Sequence, residues 1–218
     1  MYLLSVLKKL FIIILLSINT VACDNKPQYS NIPAKSTVVV LGDSLSFGTG
    51  AGIKEDYVSI LADNTGWNIT NASVPGNTSA DGLERTAALL AGMKIDLLII
   101  ELGGNDFLRR LPETETTTNL KSILAQAKVK DIQTILLAIP EFSPMGAAFG
   151  HLSDHTLYKK LSEETNTPLV ENAFSEVLGN NAFKADQVHP NAEGYRVVEA
   201  LLRKSLIEMG FLANNQKI

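Results

Sequence analysis

From residue 37 onward, short apolar and β-branched runs alternate with longer stretches whose apolar positions recur at helical spacing. Thr37 to Leu41 reads as a buried strand ending at Gly42, and Trp67 to Asn71 as a second, shorter one. Ile95 to Leu102 is a third, halted by Gly103-Gly104. Ile132 to Ile139 is a fourth, stopped at Pro140, and Pro168 to Glu171 a short fifth. Between them the helical period predicts Glu55 to Asn64, then Ser79 to Ala91 with Leu83, Ala87 and Leu90 on one face and Ser79 as N-cap. It further predicts Thr118 to Lys130 through Leu120, Ile123, Leu124 and Ala127, then Thr156 to Glu164, and finally Asn191 to Glu208.

Strand and helix in alternation imply an α/β fold: a three-layer α-β-α sandwich around a mainly five-stranded parallel sheet, with right-handed crossovers. Strands that are apolar throughout, rather than at every second position, fit a sheet covered on both faces. Ligands bind such sheets beyond the carboxyl ends of the strands. Chemistry is therefore expected just after Leu41, Asn71, Leu102 and Ile139.

The first residues follow a different pattern. Lys8 and Lys9 precede the apolar run Leu10 to Ile18, and a small residue follows before a break. That order describes an export signal over residues 1–22. The run is short for a hydrocarbon layer of about 30 Å, and an uncleaved anchor requires counting back to Tyr2. Residues 23–36 are polar, contain Pro27 and Pro33, and read as a tether. Residues 37–210 form the domain, and 211–218 a C-terminal tail. Thr20-Val21-Ala22-Cys23 resembles a bacterial lipoprotein lipobox, with Thr20 where Leu is usual. A lipid on Cys23 implies a membrane-held envelope protein; plain secretion and the uncleaved anchor are the other outcomes.

Composition narrows the chemistry. The 218 residues are 45% hydrophobic and 19% charged, with net charge −4 and no basic footprint for nucleic acid. One cysteine excludes an internal disulfide and a Cys-rich metal cluster, and three histidines leave no zinc motif. His151 and His155 are four apart and would share a helix face; they read as part-exposed residues at a helix start rather than metal ligands. No metal or cofactor is expected, and a monomer is favoured.

Four short segments carry candidate chemistry. Gly42-Asp43-Ser44-Leu45-Ser46 follows the first strand and offers a serine on a strand-to-helix turn, although Ser46 stands where the elbow pattern has its second glycine. Ser73-Val74-Pro75-Gly76-Asn77-Thr78 follows the second strand, and the Gly76 N–H is a candidate oxyanion donor. Gly103-Gly104-Asn105-Asp106 follows the third and presents an amide donor at Asn105. Asp186-Gln187-Val188-His189-Pro190 places a carboxylate three residues from an imidazole, close enough for a turn to join them, with Pro190 starting the last helix. Each segment alone also reads as an ordinary turn or cap. Together they supply a nucleophile, two oxyanion donors, a base and its orienting acid.

This constellation resembles the GDSL, or SGNH-hydrolase, family, and its short bacterial thioesterase I/lysophospholipase-like arylesterase branch in particular. Ser44, Gly76, Asn105 and His189 match the four residues that name the family, and Asp186 the acid of its Asp-x-x-His block. The resemblance runs from about Val38 to the last helix. It implies a flavodoxin-like fold, Ser44-His189-Asp186 catalysis, and an oxyanion hole of Ser44, Gly76 and Asn105.

The resemblance leaves the substrate open. Phe107, Leu108, Phe142, Met145 and Phe149 lie on loops expected to border the active edge and are candidates for an acyl or aryl pocket, or for packing those loops on the core. Arg109 and Arg110 read as a solvated pair, with a phosphate or CoA contact as the alternative. The expected substrate is a small-molecule ester: aryl or short-to-medium acyl esters, lysophospholipids or thioesters. Three other readings stay open: a carbohydrate or peptidoglycan O-acetylesterase on the same scaffold, a ligand-binding envelope lipoprotein without catalysis, and a metal site at Asp43, Glu101 and Asp106.

Overall fold

The computed structural model describes residues 29–141, 143, 145–146 and 150–213. The export signal and Cys23 lie outside them, as do Phe142, Phe149 and residues 214–218. Five strands, β1 (Thr37–Gly42), β2 (Asn68–Asn71), β3 (Leu97–Glu101), β4 (Gln133–Leu137) and β5 (Leu169–Val170), form one sheet in the order β2-β1-β3-β4-β5. Every pairing in it is parallel. That is the order of a flavodoxin-like doubly wound sheet, whose switch point lies between β1 and β3.

Among the described residues, eight α-helices cover the two faces. They are α1 (Ser44–Phe47), α2 (Tyr57–Thr65), α3 (Ser79–Ala91), α4 (Gly104–Leu108), α5 (Glu113–Val129), α6 (Thr156–Thr165), α7 (Ala173–Leu178) and α8 (Ala192–Met209). Helices α2 and α7 pack on α8 in one layer, while α3 and α6 pack on α5 in the other. The middle strands explain the continuous apolar runs: Val38 to Leu41 and Leu97 to Ile99 are fully buried between these layers. At the edge, β2 keeps Asn68, Thr70 and Asn71 exposed, and polar side chains there discourage pairing with another chain.

Some expected boundaries move. Thr78, not Ser79, caps α3, in a capping box with Asp81, because the Ser79 hydroxyl instead donates to Asp106 at 2.5 Å. Helix α5 begins at Glu113 rather than Thr118. Thr117 and Thr118, poor helix formers, send their hydroxyls back to the carbonyls of Glu113 and Thr114, and Glu113 and Glu115 suit the helix N-terminus. Pro190 lies before α8, which Asn191 caps by accepting from the Gly194 N–H. His151 precedes α6 instead of sharing its face, and His155 caps that helix through Nδ1.

The packed unit also extends past 37–210 at both ends. Tyr29 stacks on Phe211 with ring centroids 4.8 Å apart, and Ile32 donates its N–H to the Phe211 carbonyl at 2.8 Å. Trp67 Nε1 donates to the Ile32 carbonyl at 3.0 Å. Ile32, Phe211 and Leu212 are buried, so the end of the expected tether and the start of the expected tail belong to the core.

Candidate active site

At the carboxyl end of β1 the chain enters α1 through a turn with no room for side chains. A Cβ on Gly42 would stand 2.6 Å from Ser46 Cβ and Oγ and 2.9 Å from Glu101 Oε2. Asp43 caps α1, its Oδ1 accepting from the Leu45 N–H at 3.0 Å, and Gly48 closes the helix at φ 95°. Ser44 is thereby presented at the first turn of a very short helix. Ser46, in the place of the elbow glycine, is fully buried: its hydroxyl donates to Glu101 Oε2 at 2.7 Å and lies 2.6 Å from the Tyr57 hydroxyl. A glycine there would remove the hydroxyl donor from Glu101 and the partner from the Tyr57 hydroxyl, leaving Glu101 Oε2 the backbone N–H groups of residues 43 and 46.

The Asp186–His189 turn sits opposite. Asp186 Oδ1 accepts the backbone N–H groups of Val188 and His189 at 2.8 and 2.9 Å, leaving Oδ2 to meet His189 Nδ1 at 2.8 Å. The other ring nitrogen, Nε2, reaches Ser44 Oγ at 3.0 Å. A continuous hydrogen-bonded chain therefore runs from carboxylate through imidazole to hydroxyl. Such a chain orients the ring and can move the hydroxyl proton onto it. Partial burial raises the Asp186 carboxyl, but the His189 ring and the two N–H donors outweigh it and hold it below the ordinary value.

Gly76 and Asn105 come to the same cleft. Gly76 has φ 82°, and its N–H and that of Ser44 have no protein acceptor among the described residues. Asn105 enters behind Gly103 at φ 123°. Its amide nitrogen donates to Asp43 Oδ2 at 2.9 Å and to the Asn77 carbonyl at 3.0 Å, so both of its hydrogens are engaged. Next to it, Asp106 is buried and ties α4 to α3 and α5, accepting from the Ser79 N–H at 2.8 Å and Thr116 Oγ1 at 3.0 Å.

Two further buried carboxylates flank the Ser44 turn. Burial pushes Asp43 up to about 6; the Leu45 N–H, the Asn105 amide and the nearby His189 act against that rise, and Asp106 adds to it. Burial, followed by the Asp43 charge, pushes Glu101 well above the ordinary range, against hydrogen bonds from Ser46 and the Asp43 N–H. Asp43 and Asp106 are thus occupied by backbone, hydroxyl and amide donors, whereas Glu101 is occupied at Oε2 alone, its buried Oε1 having no hydrogen-bond partner among the described residues. No cluster of metal-ligating side chains forms among the described residues.

A cleft of about 590 Å³ opens beside Ser44, Gly76, Asn105 and His189. Phe107 and Leu108 line it, as expected. Phe107 is held there by stacking on His155, with centroids 4.1 Å apart, and by an edge contact with Tyr158. Met145 does not line it and is 72% exposed. The rest of the apolar wall includes Val188, inside the Asp186–Pro190 motif, Ile139 and Pro140 beyond the end of β4, and Leu152 and Leu178, which lie outside every motif. Arg109 is not simply solvated, because Nη2 donates to the Gly76 carbonyl at 2.8 Å.

Residues 40–197 match the GDSL-like Lipase/Acylhydrolase family. The chain is 34% identical over 168 residues to esterase TesA of Pseudomonas aeruginosa, covering 72% of this chain and 81% of that one. It is 31% identical over 178 residues to thioesterase 1/protease 1/lysophospholipase L1 of Escherichia coli K12, covering 79% of this chain and 84% of that one. Among solved structures it resembles the psychrotrophic esterase EstA from Pseudoalteromonas sp., inhibited by monoethylphosphonate. The TM-score is 0.67 at 28% identity, over 78% of this chain and 96% of that one.

Proposed function

We propose that this chain, which belongs to the GDSL-like lipase/acylhydrolase family, cleaves esters through a serine acyl-enzyme formed on Ser44. It is a GDSL-type carboxylic ester hydrolase; the finer reading concerns which residues act and on what. One observation carries it: the unbroken contact from Asp186 through His189 to Ser44, at 2.8 and 3.0 Å.

In this reading His189 Nε2 takes the Ser44 proton as Oγ attacks the ester carbonyl. The oxyanion is held by the N–H groups of Ser44 and Gly76 and by the Asn105 amide. The tetrahedral intermediate collapses, His189 returns the proton to the leaving alcohol, and water repeats the steps on the acyl-enzyme. Asp186 keeps the ring in the tautomer that leaves Nε2 free to accept. No cofactor enters this scheme.

The cleft supports aryl and medium acyl esters over acetyl groups. Phe107, Ile139, Leu152, Leu178 and Val188 give it an apolar wall, and its volume exceeds what an acetyl group fills. Export, with Cys23 as a lipid attachment site, is part of the same proposal and is supported by the basic and apolar pattern of the first 22 residues. The testing experiment is a chain-length series of nitrophenyl esters and lysophospholipids on wild type and Ser44→Ala. Hydrolysis of aryl and medium esters that disappears in Ser44→Ala is expected. Hydrolysis undiminished in that variant overturns the assignment, and release of acetate alone from acetylated glycan transfers it to an O-acetylesterase.

A further inference from the structure

Arg85, on α3, has no carboxylate within ion-pair distance among the described residues, although its guanidinium is half-buried. It is used on neutral oxygens instead. Nη2 donates to the Gly42 carbonyl at 3.1 Å, Nη1 to the Ala72 carbonyl, and Nε to Asn77 Oδ1 at 3.0 Å. These acceptors belong to the segments that supply the oxyanion donors. Gly42 ends β1 two residues before Ser44. Ala72 and Asn77 bracket the loop that carries Gly76, and the Asn77 carbonyl accepts from the Asn105 amide.

Half-burying a guanidinium whose favourable carboxylate, Asp81, stays beyond ion-pair distance is costly unless its donors are satisfied, and an apolar residue would cover α3 at lower cost. What an apolar residue lacks is a rigid planar fork able to hold three acceptors at once. Oxyanion donors must converge within a few tenths of an ångström, and an error of 1 Å is enough to lose most of the rate. From the outer side, Arg109 holds the Gly76 carbonyl of the same loop.

We propose that Arg85 is a positioning residue for the oxyanion hole: by fixing Gly42, Ala72 and Asn77 on one planar group, it sets the Ser44 N–H, the Gly76 N–H and the Asn105 amide relative to one another. It touches neither substrate nor reacting atoms. The proposal rests on the serine mechanism above.

Arg85→Lys, Arg85→Met and Arg85→Ala, with Ser44→Ala alongside, test it on a nitrophenyl ester. In the Arg85 variants kcat is expected to fall about 10- to 100-fold with KM within about twofold, because only transition-state contacts are misplaced. Affinity for an arylboronic acid, which forms a tetrahedral adduct on the serine, should fall by a similar factor, while affinity for the product carboxylate holds. Millimolar guanidinium should restore part of kcat in Arg85→Ala but not in Arg85→Met, whose side chain fills the space. Unchanged kcat in folded Arg85→Lys and Arg85→Met overturns the proposal. So does a uniform loss of substrate, product and boronate binding without rescue, the mark of a merely structural residue. If Ser44→Ala keeps its activity, the serine mechanism itself fails; if Ser44→Ala is inactive and the Arg85 variants are normal, only the role of Arg85 fails.

Discussion

His189 Nε2 lies 3.0 Å from Ser44 Oγ across a separation of 145 positions in the chain. The contact joins the first strand's carboxyl end to the loop before the last helix, and it depends on both being anchored independently. Asp43 and Glu101 hold the serine side, the latter through Ser46; Asp186 holds the imidazole side with three hydrogen bonds.

Removing either end of that contact should nearly abolish turnover. Ser44→Ala and His189→Ala are expected to lose about 10⁴- to 10⁶-fold in kcat on a nitrophenyl ester, and much less in combination than the product of the two losses. Asp186→Ala, which leaves the base in place but free to turn, should lose less, about 10²- to 10⁴-fold. Steady-state kinetics check all three, and labelling by a fluorophosphonate probe should vanish in Ser44→Ala.

Asn105→Ala should lower kcat about 10²- to 10³-fold while KM changes little, the pattern of a donor used mainly on the oxyanion. The same variant releases Asp43 Oδ2 and the Asn77 carbonyl, so a modest drop in melting temperature should accompany it. A loss confined to KM would place Asn105 in ground-state binding instead.

The pH dependence of stability should carry a signature of Asp43. Its folded pKa, about 6, stands above the ordinary 3.8, so the native state holds this proton more tightly than the unfolded chain does. That stabilisation is fully present below the unfolded value and is lost as pH rises through about 6. Urea unfolding at several pH values should therefore show wild type losing stability relative to Asp43→Asn over this range. Parallel curves would mean that Asp43 titrates normally.

Glycines test the packing around the turn that carries His189. A Cβ on Gly194 would stand 2.2 Å from the Phe183 carbonyl and 3.0 Å from Pro190 Cβ. Gly194→Ala is expected to cost about 1–3 kcal/mol, or roughly 2–4 °C of melting temperature per kcal/mol. Gly92→Ala, whose Cβ meets nothing nearer than 3.6 Å, should be neutral or slightly stabilising. Differential scanning calorimetry separates the two.

The cleft wall should set chain length. Leu152 lines it and is only half-buried, so Leu152→Trp fills space without displacing a core residue. Hydrolysis of nitrophenyl acetate is expected to persist, while the longest ester accepted by wild type loses at least about tenfold in kcat/KM, the scale of a few excluded methylenes. Equal effects on short and long esters would remove Leu152 from the acyl path.

Local physics made much of this legible in advance. Fully apolar runs such as Val38 to Leu41 announce strands buried on both faces, since solvent partition acts on each residue wherever its neighbours lie. Asp186 and His189 are three apart, so a single turn brings them together without help from the rest of the chain. Short helices such as Gly104–Leu108 and the early start of α5 were not visible, because tertiary partners such as Asp106 with Thr116 and Ser79 stabilise them rather than helical propensity.

The order of residues along the chain is enough to set the alternation of strands and helices, and with it the edge on which Ser44, Gly76 and Asn105 emerge. It also set the acid–imidazole pair, because these features depend on backbone geometry and on residues close in the chain. Assembly of the layers was needed to make β1 and β3 neighbours and to bury Asp43 and Glu101 beside one serine. Tertiary packing likewise joined Tyr29 to Phe211, and brought Leu152, Leu178 and Val188 into one wall and Gly42, Ala72 and Asn77 onto Arg85. Those relationships join segments far apart in the chain, and only close packing of the assembled layers can set distances between such segments.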